Sequence, residues 1–310
     1  MANYLINNDT TASQPAFELD LVPRRHPWRW VGAAAVAVFL VSVVWILATA
    51  PAMRWDVVGH YLFDADVLRG VRNTLLMTVL AMVIGMALGT LVAVMRLSVN
   101  PVLIAMASLY QWFFRGTPTL VQLIFWFNLA SIFPHFRMTV LGVDVIDVGT
   151  NDVMTPLLAS LLGLGLNFAA YYSEVIRAGI LSVDDGQTDA AQAYGLTRVQ
   201  TLRHIILPQA MRVIIPPTGN ELIGMLKWTS LASVVAYSEL LHSVQDVYNR
   251  TYEVIPLLTV AAIWYLALTT VLTIGQRFLE KRFNRGSQRA HEQSSLSKKL
   301  RALRGRQVTA

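Results

Sequence analysis

The chain has 310 residues, with 25 Lys and Arg against 19 Asp and Glu, and 55% of it is hydrophobic but only 14% charged. Soluble domains carry about 25% charged residues, so the composition excludes an ordinary soluble enzyme, and the apolar content excludes disorder over most of the length. The absence of cysteine removes a disulfide framework, a thiolate metal site and a thiol nucleophile.

A membrane crossing needs about 20 mostly apolar residues. Residues 1–30 read as a cytoplasmic N-terminal segment ending in Arg24, Arg25 and Arg29. The run 31–50 is too long and too far from the N-terminus for a signal-peptide core, so it reads as a retained helix. Residues 74–95 form a second span. The run 102–133 is interrupted by Arg115-Gly116-Thr117-Pro118, which predicts an interfacial or re-entrant lead-in over 102–114 and a crossing over 117–133. There Arg115 suits the headgroup level and Pro118 a first helical turn. Residues 153–173 are apolar apart from Asn167 and hydroxyls. The run 214–237 carries Pro216, Pro217, Gly219, Glu221, Gly224 and Lys227, which predicts a broken helix covered by protein or lining a wet cavity. Residues 255–275 make the last of six spans.

Six spans place both termini on one side. Arg24, Arg25, Arg29, Arg96, the arginines of the 174–213 connection and the basic tail fall on that side. Arg54, Arg69, Arg72, Arg137 and Arg250 fall on the other. The positive-inside bias therefore predicts cytoplasmic termini and a cytoplasmic 174–213 connection. Residues 284–310 read as a basic, disordered tail.

A forty-residue connection is long for a membrane protein and predicts two short helices. The first is Ala-rich over 187–194 and ends at Gly195. Thr197 then offers an N-cap with Gln200 as its capping-box partner, and Pro208 limits the second helix. The residues alone leave two readings open: a hairpin joining two spans, or a knob whose small residues let a partner approach the backbone.

Asp189-Ala190-Ala191, Gly195 four residues after Ala191, and Ile205, Leu207 and Pro208 keep every spacing of the "EAA" motif. In this the chain resembles bacterial ABC importer permeases, with Asp in place of the usual Glu. Arg115-Gly116-Thr117-Pro118, Ala170-Tyr171-Tyr172-Ser173-Glu174 with Arg177, Leu207-Pro208-Gln209-Ala210 and Lys227-Trp228-Thr229-Ser230-Leu231 are similar to blocks of the polar amino-acid uptake subfamily. The resemblance covers residues 67–283. It implies an all-α integral membrane protein of the bacterial inner membrane, a five-helix type I permease core plus one extra N-terminal helix at 31–50, with a cytoplasmic coupling segment over 177–212.

The resemblance also implies a transport subunit rather than an enzyme, one that forms the translocation pathway of an ATP-driven, binding-protein-dependent importer of polar amino acids or related small solutes. Its implied partners are two cytoplasmic ABC ATPases, a second permease chain, identical or related, and a periplasmic or lipid-anchored binding protein. ATP and magnesium belong to the ATPase, so no cofactor is expected on this chain, which has no Gly-x4-Gly-Lys-Ser/Thr phosphate loop. Asp189, Ala190, Ala191, Gly195, Leu207 and Pro208 are the expected ATPase-coupling residues. Glu174, Asn220, Glu221 and Lys227 are candidates for the substrate pathway, because ionisable groups at membrane depth are functional candidates by default. Their bland alternatives are that Glu221 and Lys227 neutralise each other or a neighbouring chain, and that Glu174 forms an i,i+3 pair with Arg177. No catalytic residue or metal site is expected. An ion-coupled secondary transporter is the competing function, since broken helices with buried charges suit it as well. It predicts two related halves, and no repeat joins residues 67–150 to 151–283.

Overall fold

The computed structural model describes residues 27–140 and 143–307. The sequence reading of residues 1–26 lies outside the described residues. The chain divides into two units, residues 1–51 and 52–310. In the first, α1 (Pro27–Thr49) has no acidic residue in its first turn and no basic residue in its last, and from Trp30 onward its only polar side chains are Ser42 and Thr49. It therefore has no polar face to offer water.

The second unit begins with α2 (Trp55–Tyr61) and the long α3 (Ala65–Arg96), whose first turn is capped by the Asp64 carboxylate. Asn100 caps α4 (Pro101–Gly116), with proline in the first turn, where its missing N–H is not needed. After a non-helical Thr117-Pro118 comes α5 (Thr119–Phe127). A hairpin follows, in which β1 (His135–Val140) pairs antiparallel with β2 (Val143–Gly149). Next are α6 (Thr150–Val153) and α7 (Pro156–Leu181), the latter capped by Thr155. Two short helices, α8 (Asp185–Ala193) and α9 (Arg198–Thr201), lead through a π-helical turn at Leu202–Ile206 into α10 (Leu207–Trp228). A 3-10 turn (Thr229–Val235), α11 (Leu240–Thr251) and α12 (Val254–Gln307) complete the chain.

Two apolar cores hold this unit. One gathers Met77 and Ala81 of α3, Leu123 of α5, Leu164 and Phe168 of α7, Met225 of α10 and Val235. The other gathers Val67 and Val71 of α3, Leu240 and Val244 of α11, and Leu257 and Val260 of α12. Among the described residues, three helical stretches are long and apolar enough to cross a membrane: Trp30–Thr49, Ala65–Arg96 and Val254–Arg282.

The structure differs from the sequence expectations at several points. With nine residues, α5 reaches only about 14 Å, too short to cross alone, so 117–133 is not a span by itself. Residues 102–114 belong to α4, a regular 16-residue helix in line before it. Pro216 and Pro217 lie inside α10 without ending it, and the break falls after Trp228, where the chain passes through the 3-10 turn to a left-handed Ala236 (φ 58°). Pro208 does not stop a helix either. It sits in the first turn of α10, and the preceding turn is π-helical, with the Leu207 amide donating to the Leu202 carbonyl. The hairpin at 135–149 was not anticipated. Finally, α12 continues as helix through residues 284–307, a stretch read as disordered. That stretch contains no proline and no β-branched residue, so its local propensity favours a helix.

Candidate functional site

The helical corner at 185–208 is built from two local signals. The C-terminus of α8 closes with Gly195 at φ +77°, the Leu196 amide donating to the Ala191 carbonyl at 3.1 Å and the Gly195 amide to the Gln192 carbonyl at 2.9 Å. This is the paired 6→1 and 5→2 closure that a left-handed glycine permits. Thr197 then caps α9 in a reciprocal capping box with Gln200. The result is a tight, rigid corner. Asp189, Ala190, Gly195, Leu207 and Pro208 are exposed on it, whereas Ala191 is buried beneath. A Cβ on Gly195 would meet nothing within 4 Å, so the space beside this glycine is open for something outside the chain. The sequence reading missed Tyr194, which stands 88% exposed at the corner tip.

The second feature is the break between α4 and α5. Ending a helix inside an apolar layer orphans its last carbonyls. Here Asn167 of α7 donates to the Phe114 carbonyl at 2.7 Å. Gln122 donates to the Phe114 and Thr117 carbonyls and to the Thr117 hydroxyl at 3.0, 3.1 and 2.7 Å. Next to this repaired break lies a polar cavity of about 490 Å³ between α4 and α7, lined by Arg96, Ser108, Gln111, Arg115, Tyr171 and Glu174 among others. The Arg115 guanidinium stands over the Tyr171 ring, 5.2 Å from its centroid. Gln111 donates to the Ser173 hydroxyl at 2.8 Å, and Arg96 to the Ser108 hydroxyl at 2.6 Å. Arg177 donates to Glu174 Oε2 through two nitrogens, at 2.9 and 2.8 Å. Among the described residues, no group of three or more His, Asp or Glu is placed to hold a metal ion.

An open helical corner and a cleft between apolar helices suit a transport subunit. Residues 81–285 match the family described as binding-protein-dependent transport system inner membrane component. The chain belongs to that family. The arginine transport system permease protein ArgU of Corynebacterium glutamicum is 44% identical over 272 residues, covering 87% of this chain and 85% of that one. The L-cystine transport system permease protein TcyB of Bacillus subtilis is 35% identical over 240 residues, covering 77% and 95%. Among solved structures, an amino acid ABC transporter crystallised with histidines matches with a TM-score of 0.60 and 32% identity, covering 70% of this chain and 94% of that one. The chain is thus the membrane-embedded permease subunit of an ABC transporter and not an enzyme, with the ATPase on a separate subunit. The ion-coupled alternative is not favoured, because these relatives and neighbours are ABC transporter permeases.

In the permease, the four pathway candidates do not form one cluster. Glu174 lines the cavity and is bonded to Arg177. Asn220 accepts from Gln276 of α12 at 3.0 Å, and Gln276 also donates to Glu280 at 2.7 Å, which makes Asn220 part of a tie between α10 and α12. Glu221 is half-buried on α10, and Lys227 is exposed on its last turn. No ion pair joins Glu221 to Lys227 among the described residues, so mutual neutralisation is not how this fold holds them. Arg115, expected to shape the start of a span, instead faces Tyr171 in the same cavity as Glu174. What could have shown this in the sequence is the i,i+3 pair Tyr171 and Glu174, which places an aromatic ring and a carboxylate on one face of α7.

Proposed function

We propose that this permease imports polar amino acids across a bacterial inner membrane, in a complex with two cytoplasmic ATPases, a second permease chain and an extracytoplasmic binding protein. ATP and magnesium are bound by the ATPases. In this reading α1, α3, the α4–α5 pair, α7, α10 and α12 make six crossings, both termini lie in the cytoplasm, and the corner at 185–208 faces the ATPase. The observation that carries it is the open, rigid corner around Gly195, with Asp189, Ala190, Leu207 and Pro208 exposed beside it. A groove on an ATPase can close around such a corner and, because α9 and the π-helical turn run directly into α10, pull on a pathway helix. Glu174, Asn220, Glu221 and Lys227 are the proposed pathway residues, and Glu174 has the best-formed surroundings of the four.

The names of the relatives support amino acids as cargo, and the basic residues support the orientation. Gentle purification on a C-terminal tag, with mass spectrometry of the co-purified chains, tests the assembly. The expected result is an ATPase carrying a phosphate-binding loop, lost on Gly195→Arg. Uptake of labelled amino acids into vesicles loaded with ATP but lacking ion gradients tests the energy source. A stable permease that brings down no ATPase, or uptake that needs an ion gradient, would overturn the proposal.

A further inference from the structure

The α4–α5 break places one cationic side chain, Arg115, exposed on this chain beside the cleft between α4 and α7. Arg115 is the fifteenth residue of α4, about 21 Å along the axis from its start. Its neighbour Tyr171 is the sixteenth of the 26 residues of α7. An ionisable residue on a membrane-embedded chain is a functional candidate whose partner is to be named. Yet Arg115 has no hydrogen bond and no ion pair among the described residues; its close contact is the Tyr171 ring at 5.2 Å. The nearby carboxylate, Glu174, is held by two nitrogens of Arg177 at 2.9 and 2.8 Å. The donors of Arg115 are therefore unspent, and they face a cavity of about 490 Å³, a size suited to a small solute.

We propose that Arg115 holds the carboxylate of the transported amino acid, with the guanidinium backed by the Tyr171 ring. This deepens the amino-acid reading above and rests on it. The planar guanidinium presents paired N–H donors in the geometry of a carboxylate, which a lysine ammonium does not. Stacking on Tyr171 orients that plane, and the repaired helix break fixes where it stands. Every α-amino acid carries the same carboxylate, so a site reading that group can serve whichever side chain the binding protein delivers.

The test uses the permease–ATPase complex in lipid nanodiscs without the binding protein. A radiolabelled mixture of L-amino acids first identifies one that the wild type retains; that amino acid and its α-carboxamide are then titrated. Arg115→Gln is expected to weaken the amino acid at least tenfold and leave the carboxamide within twofold of wild type. Arg115→Lys is expected to recover part of the loss, showing that the variants fold. Unchanged affinity of Arg115→Gln for the amino acid would overturn the proposal. An equal loss for the carboxamide would do the same, assigning Arg115 a structural role. Wild-type complex that retains no amino acid would remove the cargo reading itself, and Arg115 with it, a result distinct from either failure of the variant.

Discussion

The side-chain amide of Asn167 on α7 donates to the Phe114 carbonyl on α4 at 2.7 Å, across 53 residues of sequence. Gln122 reaches back from α5 to the same carbonyl at 3.0 Å. Together they make a break in the apolar layer tolerable, since each unpaired backbone carbonyl there would cost about 1–3 kcal/mol. Asn167→Leu leaves the Phe114 carbonyl its bond from Gln122 and should destabilise the permease by about 1 kcal/mol, and Gln122→Leu should cost more, since Gln122 also reaches Thr117. Thermal unfolding in detergent measures both. A wild-type midpoint in Gln122→Leu would mean that the break needs no repair.

At Gly195 the backbone conformation and the open space make separable demands. The φ of +77° costs a residue with a Cβ roughly 1–2 kcal/mol, and asparagine tolerates it best. Because no atom lies within 4 Å of an added Cβ, a side chain placed there starts into open space. Gly195→Asn should insert and keep most of its bound ATPase, whereas Gly195→Arg should insert equally well and lose it. Co-purified ATPase per permease is the readout. Equal retention by both variants would show that nothing docks at the corner.

The helical corner was legible in the sequence because its signals are local: Gly195, Thr197 and Gln200 act within five residues of one another, and the structure closes them as the capping chemistry demands. The helix break at Thr117-Pro118 was legible for the same reason. The partners of Arg115 were not, because Tyr171 lies 56 positions away and only the α4–α7 packing brings it near. Pro208, Pro216 and Pro217 misled in the other direction. Proline removes a donor, but a first-turn position or neighbouring helices absorb the loss. The hairpin had a signal in Val143-Asp144-Val145 and the preceding Leu141-Gly142, the pattern of a strand entered from a tight turn, which the search for apolar spans passed over.

Glu239 is wholly buried and caps α11. Its carboxylate accepts from the His242 and Leu241 amides at 2.8 and 2.9 Å and from the Tyr265 hydroxyl at 2.7 Å. Three donors from two helices thus converge on one side chain. Glu239→Ala strands all three and should cost about 3 kcal/mol or more. Tyr265→Phe removes only one donor and should cost about 1 kcal/mol. Glu239→Gln should fall between them, because Oε2 now accepts two donors and an amide nitrogen there cannot. Thermal unfolding of the three variants should give that order, and a different order would mean that Glu239 contributes through packing alone.

α3 and α7 approach through glycines. A Cβ on Gly85 would lie 2.3 Å from Phe168 Cδ1, and one on Gly89 would lie 2.8 Å from the Ala169 carbonyl oxygen. Neither neighbour is the free end of a flexible chain. Gly85→Ala and Gly89→Ala should each cost about 1–3 kcal/mol through overpacking. On the facing helix, a Cβ at Gly165 would stay 3.4 Å from its nearest neighbour, Ile84 Cγ2, so Gly165→Ala serves as a control and should be tolerated. The folded yield and midpoint of the three variants check this, and equal behaviour of Gly89→Ala and Gly165→Ala would show that the two helices slide apart freely.

The base of the hairpin should respond to acid. Asp147 gives up some hydration there, but His135 Nδ1 at 2.9 Å and Arg137 Nε at 3.3 Å hold its carboxyl below the ordinary aspartate range. A lowered folded value means that the stabilisation is complete above the unfolded pKa, about 3.9, and is lost as pH falls through the lower folded value. Amide hydrogen exchange across β1 and β2 should thus show constant protection from neutral pH down to about pH 5 and falling protection below about pH 4. Asp147→Asn should show the reduced protection throughout. If the wild type and Asp147→Asn have the same protection at neutral pH, the ion pairs at the base are ornaments of the surface, and the β1–β2 ladder holds the hairpin alone.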